Sequence, residues 1–243
     1  MRLFGKNPVL ERLRGNPQSV RKIYLQQDFR DAGPIRKKAK QLNIPVFVIP
    51  KSRMLKIGRS AHTQGILADV EDFVYTPYED LLENAYKKKK CLVFLDGLKD
   101  PQNLGAMFRS LACLANFCMI LPTHDSVGVT EAVLRVASGG ESYVPVARVA
   151  NLRNAIKTAK NKNYQMFGTE VNTGQSLYET QFPALVGLVV GSEQKGIRDV
   201  IRKELDHQIT IPMPLERLSF NVASATTLFC YEITKQKNQR KKK

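Results

Sequence analysis

The chain has no tryptophan, three histidines and four cysteines among its 243 residues, and each scarcity removes a class of protein. Cys91, Cys113, Cys118 and Cys230 stand inside apolar runs such as CLVFL and SLACLANFCMIL, with no Cys-x-x-Cys pair. They are expected as small core hydrophobes. His62, His124 and His207 lie in unrelated segments, so neither a metal site nor a disulfide framework is expected. No apolar run reaches the roughly 18 residues of a membrane helix. The opening MRLFGKNPVLERLRGN lacks the apolar stretch of a secretory signal, and a cytoplasmic protein is expected. A Gly-x-Gly-x-x-Gly fingerprint is also missing. The spacing from Gly191 to Gly196 suggests a phosphate loop, but Ile197-Arg198 stands where the required Lys-Ser/Thr would be.

Acids are scarce at the two ends. Residues 1–70 carry 15 Lys and Arg against 4 Asp and Glu, residues 71–234 carry 17 against 18, and residues 235–243 carry six bases and no acid. The net charge of +16 is therefore segregated. Basic residues gathered this way release counterions when they meet phosphates, which points to nucleic acid. An anionic membrane is the rival partner, but no basic amphipathic helix with aromatic anchors supports it.

What is present divides into two α/β units. In the first, residues 20–25, 45–50 and 65–70 read as strands bounded by breakers. Between them residues 31–43 place Ile35, Ala39 and Leu42 at helical spacing, opposite a basic face. The expected boundaries are a small RNA-binding domain at 1–72, a linker at 73–90, a main domain at 91–236 and a disordered basic tail at 237–243. Four lysines at 87–90 fit a solvated helix end better than an RNA contact, since cations suit a helix C-terminus. From residue 91, buried strands (CLVFLD, FCMILP, YVPVARV, YQMFGTEV, ALVGLVVG, HQITIP), several of them continuously apolar, alternate with helical patterns, which implies a parallel sheet covered on both faces. The last helix is expected to bury Ala225, Leu228, Phe229 and Ile233.

Ligands of such sheets bind at the carboxyl ends of the strands, where three segments carry unusual polar residues. In the first, Asn103 stands at the expected helix start, where Asn is a favoured cap. Gly105 costs about 1 kcal/mol relative to Ala unless close packing requires it, and Arg109 follows with a fork suited to phosphate or carboxylate. In the second, Glu193 sits between Gly191 and Gly196. In the third, Pro212 and Pro214 force an irregular loop that leads through Ser219 and Asn221 into the small residues Val222, Ala223, Ser224 and Ala225.

In this order the three segments resemble the SpoU family of RNA 2′-O-methyltransferases, of the SPOUT superfamily. Asn103, Gly105, Ala106 and Arg109 match its first motif. Gly191, Glu193 and Gly196 match the second, and Ile211, Pro212, Met213, Ser219, Asn221 and Val222 the third. Gly5-Lys6-Asn7-Pro8 and Gln64-Gly65-Ile66 are similar to the ends of the substrate-binding domain of two-domain members. The chain departs from the pattern at Phe220, where Leu is usual, at Gln194-Lys195, where many members have Gly, and at Thr63, which separates His62 from Gln64.

The resemblance implies a SPOUT domain with a deep trefoil knot behind a ribosomal-protein-like α/β domain. It implies S-adenosylmethionine as cofactor, a homodimer joined through the knotted domain, and methylation of ribosomal RNA, with a large-subunit guanosine favoured. Transfer RNA as substrate and a non-catalytic assembly factor stay open as alternatives. The expected catalytic residues are Arg109, Asn103, Glu193 and Asn221. Thr169, Gly191, Ile211, Leu218, Ser219 and Phe220 are expected at the cofactor, and Arg36, Lys37, Lys38, Lys40 and Arg59 at the RNA. A guanidinium is an awkward base, so Arg109 is expected to pair with phosphate and favour a developing alkoxide, while Glu193 and Asn103 orient it or the ribose.

Overall fold

A computed structural model describes residues 1–58, 63–215 and 217–240; Arg59 lies outside the described residues. The first unit runs β1 (Arg2–Phe4), α1 (Lys6–Gly15), β2 (Val20–Gln26), α2 (Gly33–Gln41), β3 (Val46–Ile49), α3 (Lys51–Gly58) and β4 (Ile66–Val70). Its mixed sheet has the order β1-β4-β2-β3. Period-2 alternation in β2 sends Ile23 and Leu25 to a core shared with Ile35 and Ala39 of α2 and with Leu13 of α1. The predicted helical stripe on α2 is thus buried. Arg36, Lys37 and Lys40 are exposed, Lys38 half-buried, and none of the four forms an ion pair among the described residues.

The second unit begins with α4 (Tyr78–Lys87), then β5 (Cys91–Asp96), α5 (Pro101–Leu114), β6 (Phe117–Pro122), α6 (Glu131–Ala137), β7 (Val146–Val149), α7 (Leu152–Lys160), β8 (Gln165–Glu170) and β9 (Gln175–Ser176). It ends with β10 (Val186–Gly191), α8 (Asp199–Arg202), β11 (His207–Thr210) and α9 (Val222–Arg240). The seven strands lie in the order β7-β6-β5-β10-β8-β11-β9, all parallel. Every residue of β5, β6 and β10 is buried, as the continuous apolar runs require. One face packs on α5, α6 and α9, the other on α4 and α7.

Four expectations need correction. The stretch 73–90 is no linker: Tyr78, Leu81, Leu82 and Ala85 of α4 are buried against Leu92 and Phe94, and Phe73 packs edge-on to Phe108 at 6.1 Å. The basic tail is helical to Arg240. Gln236, buried without an apolar side chain, donates to the Thr180 carbonyl at 2.8 Å and accepts from the Phe182 N–H at 3.0 Å. Along α9 the buried stripe is Ala223, Thr226, Phe229, Cys230, Ile233 and Gln236, so Ala225 is only half-buried and Leu228 is 39% exposed. Among the cysteines, Cys113 faces solvent from α5 while the other three are buried; burial pushes the Cys118 thiol up to about 11.

The two units dock through a charged contact. Arg12 of α1 donates to Glu141 at 2.9 Å, with side chains 4% and 0% exposed. Glu141 belongs to a 3-10 turn, and its neighbour Tyr143 donates to Glu11 at 2.8 Å. A Cβ on Gly139, whose φ is +97°, would sit 2.3 Å from the Glu11 Cβ, so only glycine admits α1 this closely. Replacing Arg12 with Ala leaves Glu141 charged, buried and alone, and is expected to cost about 3–5 kcal/mol in denaturant unfolding. An unchanged midpoint would show that the ion pair is not buried in solution.

Candidate active site

The carboxyl ends of the central strands carry two adjacent cavities. The first, about 310 Å³, lies between β8, β10 and the start of α9, with Thr169, Gly191, Ile211, Ser219 and Phe220 in its wall. Gly191 and Gly196 contribute bare backbone to that wall. At Gly191 an added Cβ would fall 2.1 Å from the carbonyl carbon of Gly196, because Ser192 and Gly196 close a tight bridge with paired 3.0 Å N–H to carbonyl bonds. Gly196 itself turns the chain at φ +65°. The loop is tied to the neighbouring strand by Asp96 at the end of β5. Its buried carboxylate accepts from the Arg198 N–H at 2.9 Å and from Arg198 Nε at 2.7 Å.

The second cavity, about 340 Å³, is lined by Gly97, Lys99, Asp100, Asn103 and residues 192–195. Glu193 lines both cavities and forms part of their common wall.

Three expected polar residues meet at that wall. Asp100, not Asn103, caps α5, accepting from the Gln102 N–H at 2.8 Å. Asn103 is therefore inside the first turn, 7% exposed, with its amide free. It donates through Nδ2 to Glu193 Oε1 at 2.8 Å, and its Oδ1 accepts from Asn221 Nδ2 at 2.8 Å. Asn221 caps α9, its Oδ1 accepting from the N–H groups of Ala223 at 2.9 Å and Ser224 at 3.4 Å. Backbone N–H groups only donate, so Asn221 must present oxygen to α9 and nitrogen to Asn103. Asn103 must then offer its own nitrogen to Glu193, an acceptor when ionised. The amide orientations are fixed in one direction from helix to carboxylate.

Gly105 needs no special backbone angle. A Cβ there would lie 2.5 Å from Val136 Cβ and 2.8 Å from the Val133 carbonyl oxygen, so it lets α5 and α6 touch, as its cost in a helix suggested.

Two expected residues stand apart. Leu218 is 65% exposed and outside the first cavity's wall, held in a turn by its N–H bond to the Leu215 carbonyl at 3.1 Å. Arg109 lines neither cavity, is exposed, and has no hydrogen bond or ion pair among the described residues. It lies six residues beyond Asn103, which turns it about 120° around the helix from that side chain. The expected orientation of Arg109 by Glu193 and Asn103 is absent within one chain.

Sequence reasoning missed Asp96, Arg198 and Glu170. The signal for Asp96 was a lone acid closing an apolar strand, but its partner is 102 residues away. Glu170 closes β8 in the same manner and lines the first cavity, and burial raises its pKa against the lowering effect of Arg202. No cluster of metal-binding side chains occurs among the described residues.

A parallel sheet with two adjacent cavities at its carboxyl ends, one touching glycine backbone and the other flanked by lysines, defines an α/β domain with a ligand site in the usual place for such sheets. Residues 90–231 match the SpoU rRNA methylase family, and residues 2–76 match a domain described as RNA 2′-O ribose methyltransferase substrate binding. The chain belongs to the SpoU family of RNA methyltransferases. It is 30% identical over 245 residues to a candidate TrmH-family tRNA/rRNA methyltransferase of Staphylococcus epidermidis, covering 99% of this chain and 98% of that one. It is 33% identical over 240 residues to an uncharacterised tRNA/rRNA methyltransferase of Synechocystis, but spans only 62% of that relative's length. The SpoU methyltransferase AviRb of Streptomyces viridochromogenes, solved with AdoMet, shares the fold at TM-score 0.79 and 18% identity, over 98% of this chain and 90% of its own. A TrmH-family protein of Porphyromonas gingivalis does so at 0.74 and 24%, over 95% and 88%.

Gly191→Ala is expected to lower stability by about 1–3 kcal/mol, because the new methyl meets backbone that cannot turn aside. Gly33→Ala, with open space around its site, serves as control and should leave the unfolding midpoint within about 0.5 kcal/mol of wild type.

Proposed function

We propose that this chain transfers a methyl group from S-adenosylmethionine to the 2′-hydroxyl of one ribose in RNA, with ribosomal RNA, and a large-subunit guanosine, as the favoured substrate. The observation that carries this reading is the relay from Asn221 through Asn103 to Glu193, set in the wall between two cavities. The names of the relatives, which pair tRNA with rRNA, keep a transfer-RNA substrate as the second reading.

The cofactor fits the first cavity. Its size is near the lower end of small-molecule sites, and Gly191 and Gly196 put bare backbone into its wall. Thr169, Gly191, Ile211, Ser219 and Phe220 would hold it, and when bound it supplies an electrophilic methyl on a sulfonium. The target nucleotide would occupy the second cavity, where Lys99 and Lys195 flank the Glu193–Asn103 pair and suit its phosphates. The RNA-facing side chains of the first domain would be Arg36, Lys37, Lys38 and Lys40. The return of the chain from β11 to α9 would close the trefoil knot.

A ribose hydroxyl is a weak nucleophile at neutral pH and must be aimed and helped to lose its proton. The Glu193 carboxylate, held on one oxygen by Asn103, keeps its other oxygen to accept a hydrogen bond from that hydroxyl. Arg109, always charged, would favour the alkoxide as it forms. Since Arg109 lies off both cavities of its own chain, it would serve the site of a second copy. The same region exposes Leu215, Leu218, Phe220, Leu228 and Tyr231, an apolar set suited to joining two knotted domains.

Mapping alkali-resistant dinucleotides in total RNA with and without the protein tests the reaction: one new 2′-O-methylated dinucleotide is expected, and none in any RNA would refute it. Arg109→Ala should abolish turnover and leave the calorimetric heat of cofactor binding intact. Mixing Arg109→Ala chains with Asn103→Ala chains should restore roughly a quarter of wild-type turnover, as expected when both defects fall in one site of the mixed dimer and leave its other site intact. No restoration would place Arg109 in the site of its own chain.

A further inference from the structure

The lysine run at 87–90 is not left as a solvated helix end. Its middle two residues, Lys88 and Lys89, and the end of α9, about 150 residues later, meet around a third cavity of about 310 Å³. Lys88, Lys89, Lys237 and Arg240 rim it, and its floor is Cys91 and Phe117, the first residues of β5 and β6. The cavity therefore lies at the amino ends of the strands. The cofactor cavity lies at the carboxyl ends, about 20 Å away by the rise of a six-residue strand.

The charge here is unbalanced in a specific way. Lys87 pairs with Glu83 at 3.3 Å and Lys235 with Glu232 at 3.0 Å, both outside the cavity. Among the described residues, none of the four rim cations has a carboxylate partner, and no acid lines the cavity. The ordinary reason for cations here is the dipole of the two helices that end nearby, α4 and α9. Each helix end supplies about half a negative charge, so together they offset about one of the four positive charges. The gathering is also built in: Lys237 Nζ donates to the Lys89 carbonyl at 2.8 Å and so clamps the end of α9 to the lysine run.

We infer that this cavity is a second RNA-binding site, which takes the phosphates of a single-stranded or looped segment of the substrate remote from the methylated nucleotide. Cationic rim and apolar floor together suit an unpaired nucleotide, with phosphate on the lysines and base in the cavity. The inference rests on RNA being the substrate. It adds a contact on the face of the second domain away from the reaction.

The test is the salt dependence of substrate RNA binding, read by fluorescence anisotropy, for Lys88→Ala/Lys89→Ala/Arg240→Ala. Lys237 is left in place because it clamps the backbone. Three lost phosphate contacts should flatten the plot of log affinity against log salt by about 2, and weaken binding about tenfold or more near 0.15 M salt. Cofactor binding heat and turnover at saturating RNA should be unchanged. An unchanged slope would overturn the site, as would an equal change in Arg153→Ala/Lys157→Ala/Lys203→Ala, which removes the same charge elsewhere. In the wild-type protein, bound RNA should slow acetylation of Lys88 and Lys89. Full reactivity in the complex, or equal protection by inorganic phosphate at matched phosphate concentration, would overturn the proposal even if the triple variant failed to fold. Failure of the methylation reading would show separately, as wild-type protein that adds no methyl group to RNA it binds.

Discussion

A single amide, Asn103, fixes the geometry of the site. It is hydrogen-bonded to residues 90 and 118 positions away, and so joins side chains of all three motif segments through one group. Donor and acceptor roles propagate from the N–H groups that open α9, so the chain of bonds has one direction and no freedom to flip. Asn103, the buried member, is satisfied on both sides, and a buried polar group of this kind becomes costly when a partner is removed. The relay holds the carboxylate of Glu193 where both cavities can reach it, and it requires α9 to start at Asn221.

Around this relay the fold uses charge sparingly and in paired form. Asp96 and Arg198 lock the Gly191–Gly196 turn to the end of β5. Arg12 and Glu141 lock the first domain to a turn whose Gly140 packs directly on the backbone of Arg109. Docking of the basic domain thus reaches the helix that carries both Asn103 and Arg109. Unpaired cations gather on α2, beside the second cavity and at the amino ends of the strands, where a polyanion could follow them.

The sheet was largely legible in the sequence because fully buried parallel strands demand unbroken apolar runs. CLVFLD and FCMILP are β5 and β6 from end to end. The three-residue β1 and two-residue β9 were not legible, since they exist through pairing with distant strands rather than local preference. At 73–90 the spacing of Tyr78, Leu81, Leu82 and Ala85 did carry a helix, but the adjoining proline and lysines disguised it as a junction. The tail was misread because its packing depends on the polar Gln236, which a hydrophobic pattern cannot signal.

At the site, residue types and order were legible, while the contacts were not. Asn103 reads as a cap until Asp100 is seen to do that work three residues earlier. Arg109 reads as a neighbour of Glu193 until the helix turns it away. The claim that the Asn221–Asn103–Glu193 relay acts as one unit is tested most directly by a double-mutant cycle on kcat, with Asn103→Ala, Asn221→Ala and the pair. A relay predicts that the double variant is about as slow as the slower single variant. Losses that simply multiply would mean that the two amides act independently, and would contradict it.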